Sequence, residues 1–137
     1  MGVWVLEKET VLKLVKAAME AREKAYAPYS NYHVGAAVLT TDGTVFTGCN
    51  VENASYGATN CAERTAIFKM VSEGYTKISA IAIAGGTADA PAFPCGVCRQ
   101  VISEFAESGD ITVIVASDEE NYKLFTLDEI FPFAFML

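Results

Sequence analysis

Cys61-Ala62-Glu63-Arg64 and, further along the chain, Pro94-Cys95-Gly96-Val97-Cys98-Arg99 are the stretches on which the reading of this sequence turns. Three thiols can hold a zinc ion tetrahedrally and keep its fourth position for water, which separates a catalytic zinc from a structural one. Both cysteine segments stand where helices would begin, and Pro94 occupies a favoured place just before the second. Unpaired backbone N–H groups and the positive end of the helix dipole favour thiolates there. If Cys61 opens a helix, the Glu63 carboxylate lies in its first turn, placed to exchange protons with a metal-held water. Three thiolates around zinc leave one net negative charge, which weakens its power to acidify water. Arg64 and Arg99, beside the ligands, can offset that excess; the plain alternative for each is a surface arginine.

Two other readings of the cysteines compete. Cys49 could close a four-thiol structural site. It lies inside a strand pattern between Gly48 and Asn50, where packing as a small apolar side chain suits it better. Cys95-Gly96-Val97-Cys98 could also be a redox pair, but such motifs normally follow the first strand of a thioredoxin-like unit rather than a long loop deep in the chain. His33, the only histidine, flanks a strand start far in sequence from any thiol and reads as a surface or packing residue.

Working outward, residues 61–73 read as a helix closed by Gly74, and residues 95–107 as another. A first helix spans residues 7–25, where Val11, Val15, Ala18, Arg22 and Ala25 recur at helical steps until Pro28. Residues 34–40 and 45–51 form two strands joined at Asp42-Gly43, a strong hairpin signal. Residues 78–84 and 111–116 are apolar runs suited to buried strands, and residues 122–125 a short fifth. Thr126-Leu127-Asp128-Glu129 has capping-box spacing for a final short helix. The predicted fold is α/β: a three-layer α/β/α sandwich around a five-stranded mixed sheet.

The 137 residues suit a single domain over residues 1–137, with 52% hydrophobic residues and a mean hydropathy of +0.26. A net charge of −7 argues against nucleic-acid polymers, whose partners usually present a basic face. Met1-Gly2-Val3-Trp4-Val5-Leu6 is too short and lacks the basic start of a secretion signal, and no apolar run is long enough to cross a bilayer. Four cysteines then read as reduced thiols in a cytoplasmic protein. The tail Phe131-Pro132-Phe133-Ala134-Phe135-Met136-Leu137 is too apolar to leave in water and predicts burial against another protomer.

In order along the chain, Ala27-Pro28-Tyr29-Ser30, Val34-Gly35-Ala36-Ala37, Gly48-Cys49-Asn50-Val51-Glu52-Asn53-Ala54-Ser55-Tyr56, Cys61-Ala62-Glu63-Arg64-Thr65-Ala66 and Pro94-Cys95-Gly96-Val97-Cys98-Arg99-Gln100 resemble the zinc-dependent cytidine deaminase family in its short homotetrameric form. The resemblance covers nearly the whole chain. It implies one zinc ion per subunit held by Cys61, Cys95 and Cys98, with Glu63 as proton shuttle, the general chemistry of zinc deaminases. It further implies that Asn50 and Glu52 bind the ribose hydroxyls and that Ala62 and Tyr56 line the substrate site. Tyr32 stands where the family usually has a phenylalanine packed on the pyrimidine. Phe135 resembles an aromatic that reaches a neighbouring subunit's site. The implied reaction converts cytidine and 2′-deoxycytidine to uridine and 2′-deoxyuridine in pyrimidine salvage, with zinc-activated hydroxide attacking C4 and ammonia leaving. Competing functions are a deaminase of a blasticidin-type nucleoside antibiotic, a polynucleotide deaminase, and a non-catalytic zinc-stabilised binding module. The last would need Glu63 to be only a helix-start carboxylate.

Overall fold

The alternation in Ile78-Ser79-Ala80-Ile81-Ala82-Ile83-Ala84 organises the molecule. Successive side chains of a strand point to opposite faces, so from Ala80 to Ala84 this strand presents isoleucine on one side and alanine on the other. In the computed structural model, which describes residues 6–137, it is the central strand of one five-stranded sheet. Residues 1–5, most of the segment weighed above as a secretion signal, lie outside the described residues.

The elements are α1 (Lys8–Arg22), β1 (Gly35–Thr40), β2 (Val45–Cys49), α2 (Ala62–Ser72), β3 (Ile78–Ala84), α3 (Gly96–Phe105), β4 (Thr112–Ala116), β5 (Tyr122–Thr126) and α4 (Leu127–Ile130), with a 3-10 turn at Tyr56–Ala58. The strand order is β2-β1-β3-β4-β5. Among the strands of the described residues only the β3–β4 pair is parallel, Ile81 opposite Val113 and Ile83 opposite Val115; the other pairs are antiparallel. The sheet is mixed, as the sequence predicts.

Each sheet face carries its own core. Ile81 and Ile83 join Val113, Val115 and Val38 under α2 and α3, which contribute Ile67, Met70 and Ile102. Ala80, Ala82 and Ala84 face α1, whose Val11, Leu14, Val15 and Ala18 pack against them together with Ala37 and Ile114. Small strand residues on this face let α1 lie close. Fully burying a side chain such as Leu14 or Ile67 contributes about 1.5–3 kcal/mol.

Tertiary pairing trims the helices that periodicity draws longer. Residues 23–25 leave α1 through i to i+3 turns because Tyr26 must pair with Val51: its N–H donates to Asn50 O at 3.0 Å and its carbonyl accepts from Glu52 N at 2.8 Å. Likewise α3 stops at Phe105, since Ala106 bridges to Ile78 and Glu107 N donates to Ile78 O at 3.0 Å. Gly74 ends α2 at φ +96°, the left-handed conformation expected of it. The capping box at Thr126 and Glu129 forms. Gly48 has a different role: a Cβ there would collide with Ala62 O and Ala66 N, so only glycine lets β2 touch the first turn of α2. That contact sets the start of α2, and with it Cys61.

Candidate active site

Cys61 and Cys95 are the N-caps of α2 and α3, both in extended backbone. The Cys95 thiol accepts the Cys98 amide at 3.4 Å, taking one of the N–H groups a helix start leaves unpaired. Cys98 is fully buried in the first turn of α3. Two helix starts thus converge: Cys61 Sγ and Cys95 Sγ are 3.9 Å apart, and the three sulfurs lie within 4.8 Å of one another. Zinc–thiolate bonds are about 2.3 Å, so sulfurs at this spacing can share one ion.

No fourth protein donor joins the cluster among the described residues. The Cys49 thiol instead lies 3.5 Å from the carbonyl of Lys24. This removes the four-thiol structural reading. It also removes the redox-pair reading, because a third thiol shares the Cys95–Cys98 site.

The thiols are coupled. Cys61 is held well below its ordinary 9.0, at about 5, first by the neighbouring Cys98 thiol and then by the Arg64 guanidinium. Cys98 is pushed the opposite way by the same Cys61 contact and by burial. Arg64 Nη2 donates to Cys61 Sγ at 3.4 Å, and this contact strengthens the guanidinium's hold on its proton. Arg64 Nε is buried without a partner. Arg99 goes elsewhere: Nε donates to Pro94 O at 2.8 Å and Nη1 to Ile130 O, so it ties the cysteine arm to the C-terminal segment without touching a thiol.

Glu63 sits in the first turn of α2 and is only 4% exposed. Burial pushes its carboxyl up from 4.5 to about 7, with the Cys61 thiolate adding to the rise. A carboxyl titrating near neutrality can both hold and release a proton there. Ala62 is fully buried beside it.

A second group lies on the neighbouring connections. Val51 and Asn60 exchange backbone hydrogen bonds at 2.9 Å, which brings the 50–52 segment alongside the approach to Cys61. The Asn50 side chain clamps the strand entry: Oδ1 accepts from Val34 N at 2.9 Å and Nδ2 donates to Tyr32 O at 2.7 Å. Glu52 accepts from Tyr29 N at 2.9 Å, Ser30 N at 3.2 Å and the Ser30 hydroxyl. These bonds, the hydroxyl's above all, hold its carboxyl below the ordinary range. Tyr29, Ser30, Glu52, Asn53, Tyr56 and Thr59 line a cavity of about 380 Å³. Tyr32 and Tyr56 are exposed. Phe135 is exposed too, its carbonyl accepting from Gln100 Nε2 at 3.1 Å.

Ser30 is absent from the sequence-derived set of site residues. Its hydroxyl bonds Glu52 and also accepts the Tyr32 amide at 3.0 Å, across Asn31 at φ +58°. A Pro-Tyr-Ser-Asn turn is the signal that could have suggested it.

Residues 8–116 match the model of the cytidine and deoxycytidylate deaminase zinc-binding region. The chain is 46% identical over 125 residues to a cytidine deaminase of Sporosarcina psychrophila, covering 91% of this chain and 90% of that one. It is 49% identical over 122 residues to a cytidine deaminase of Halalkalibacterium halodurans, covering 89% and 91%. A crystal structure of cytidine deaminase from Burkholderia pseudomallei superposes with a TM-score of 0.82 at 48% identity, covering 90% of this chain and 97% of that one.

Proposed function

The chain belongs to the cytidine and deoxycytidylate deaminase family, and from that premise we propose how its own residues carry out the reaction. The reaction is zinc-dependent hydrolytic deamination: cytidine and water give uridine and ammonia. The observation that carries the assignment is the trio of thiols within 4.8 Å of one another, on two helix starts, next to a carboxyl that titrates near 7.

Cys61, Cys95 and Cys98 would hold the zinc ion. When bound, zinc supplies Lewis acidity that brings the pKa of water toward about 7. Glu63 is the proton carrier. Its carboxylate takes a proton from the attacking water and gives it to ring N3, which makes C4 more electrophilic. It then takes the proton of the new C4 hydroxyl and passes it to the amine, so the C4–N bond breaks, the 4-amino group leaves as ammonia, C4=O forms and the carboxylate is regenerated. Burial matters here because it strengthens the carboxyl's hold on the proton it carries. Arg64 offsets the charge of the thiolates.

Asn50 and Glu52 bind the ribose hydroxyls, with the Ser30 hydroxyl and the Tyr29 and Ser30 amides holding Glu52 in place. Tyr32 packs on the pyrimidine, and Tyr56 and Ala62 line the site. 2′-Deoxycytidine is the proposed second substrate. Salvage of pyrimidine nucleosides in the cytoplasm is the corresponding role.

The assembly is a homotetramer whose subunits share active sites, Phe135 reaching the neighbour's. Its support is the exposure of Phe133, Phe135, Met136 and Leu137, a patch that water disfavours.

The deciding experiment follows the ultraviolet absorbance of cytidine with purified protein, before and after a strong chelator. Activity abolished by the chelator and restored by zinc is the expected result. Bound zinc without any turnover would leave only a binding module.

A further inference from the structure

Arg22, the last residue of α1, sends each of its three guanidinium nitrogens to a different backbone carbonyl. Nε donates to His33 O at 2.9 Å, Nη2 to Gly86 O at 3.1 Å and Nη1 to Ser117 O at 3.3 Å. Among the described residues no carboxylate lies within ion-pair range of it. Hydrogen bonds from a charged donor are stronger than neutral ones, and here all go to main chain.

The three acceptors come from separate connections at one end of the sheet. His33 precedes β1, Gly86 follows β3 and Ser117 follows β4. Because β1 runs antiparallel to β3 while β4 runs parallel to it, those ends coincide. Ligands of open α/β sheets collect beyond the carboxyl ends of parallel strands. Gly35 makes the approach sterically feasible: a Cβ there would strike Ala18 O and Arg22 N, so only glycine lets the last turn of α1 rest on the start of β1.

The contacts join two arms of the site. His33 is the centre of the Tyr32–His33–Val34 segment, whose two ends the Asn50 side chain already holds. Gly86 opens the connection that leads to Pro94 and Cys95, and its loop is closed by a bridge to Pro91. We propose that Arg22 is a positioning residue for the nucleoside site, fixing the Tyr32 wall relative to the loop that delivers Cys95. This rests on the roles given to Tyr32 and Asn50 above. Lysine cannot replace it, since a point-like ammonium lacks the planar fork that serves three divergent acceptors.

The test compares wild type with Arg22→Lys and Arg22→Met, each zinc-loaded, by melting temperature, zinc content, cytidine kinetics and calorimetric binding of uridine. Expected for Arg22→Lys is a KM raised about tenfold, uridine affinity lowered by a similar factor, and kcat within about threefold of wild type. Arg22→Met is expected to lose more binding in the same pattern. A lowered melting temperature with KM and uridine affinity unchanged would make Arg22 a fold residue only and overturn the proposal. So would a fall in kcat at unchanged KM, or failure of both variants to fold. Wild-type protein inert toward cytidine would instead sink the underlying reading, and the proposal with it.

Discussion

Arg64 Nη2 lies 3.4 Å from Cys61 Sγ, one helical turn away on α2, and this is the contact through which a cation reaches the thiol cluster directly. A guanidinium with a buried, unpartnered Nε is costly to keep. Its retention next to a thiol held at about 5 is what charge compensation requires.

Arg64→Gln tests that compensation. The variant should fold and bind zinc, with kcat for cytidine down about tenfold to a hundredfold, the usual cost of removing a group that supports a metal ligand. Arg64→Lys should fall between the two, since it keeps the charge and loses the fork. Metal analysis and steady-state kinetics decide; unchanged turnover in Arg64→Gln would remove the electrostatic role.

The cysteines divide three against one. Cys49→Ser should keep one zinc per subunit and near-normal activity, because its thiol meets the Lys24 carbonyl rather than the cluster. Cys95→Ser and Cys98→Ser should lose most bound zinc. Equal zinc loss in Cys49→Ser would restore a four-thiol site.

Glu63→Gln should retain fold and zinc while turnover falls by about two to four orders of magnitude, the contribution expected of a positioned proton carrier. The same substitution has a stability signature in chelator-treated protein. Folding raises this carboxyl from 4.5 to about 7, so the folded chain holds the proton more tightly than the unfolded one. The stabilisation is therefore complete below pH 4.5 and disappears as pH rises through 7. Its full size is about 3 kcal/mol. The Cys61 thiol contributes in the opposite sense, its stabilisation being lost as pH falls through about 5. Subtracting the Glu63→Gln denaturation profile from the wild-type one isolates the carboxyl. A difference that stays flat between pH 4 and pH 8 would contradict the raised titration.

Removing residues 133–137 should convert the proposed tetramer to smaller species in light scattering, and activity should fall with it if Phe135 completes a neighbour's site. Phe133 and Leu137 stand fully exposed in the isolated chain, which is the state an interface would relieve. Truncated protein that remains a tetramer would place the interface elsewhere.

Helix and strand identities, the capping box at Thr126, the Gly74 stop and the two cysteine helix starts were all determined by local chemistry: propensity, period and backbone freedom act over a few residues. In β3 the sequence marked only a buried strand; that its alanine face takes α1 was decided by packing. What the sequence left undecided were the ends of α1 and α3, the separation of Cys49 from the other thiols, the diversion of Arg99 to Pro94 and Ile130, and the carbonyl partners of Arg22. Each depends on atoms distant in sequence and brought together only by packing. Side-chain hydrogen bonds to main-chain carbonyls carry no residue-type signature at the acceptor, so no pattern in the chain could announce them. The rise of Glu63 to about 7 has the same origin: a glutamate's carboxyl is pushed up only once folding has stripped water from it.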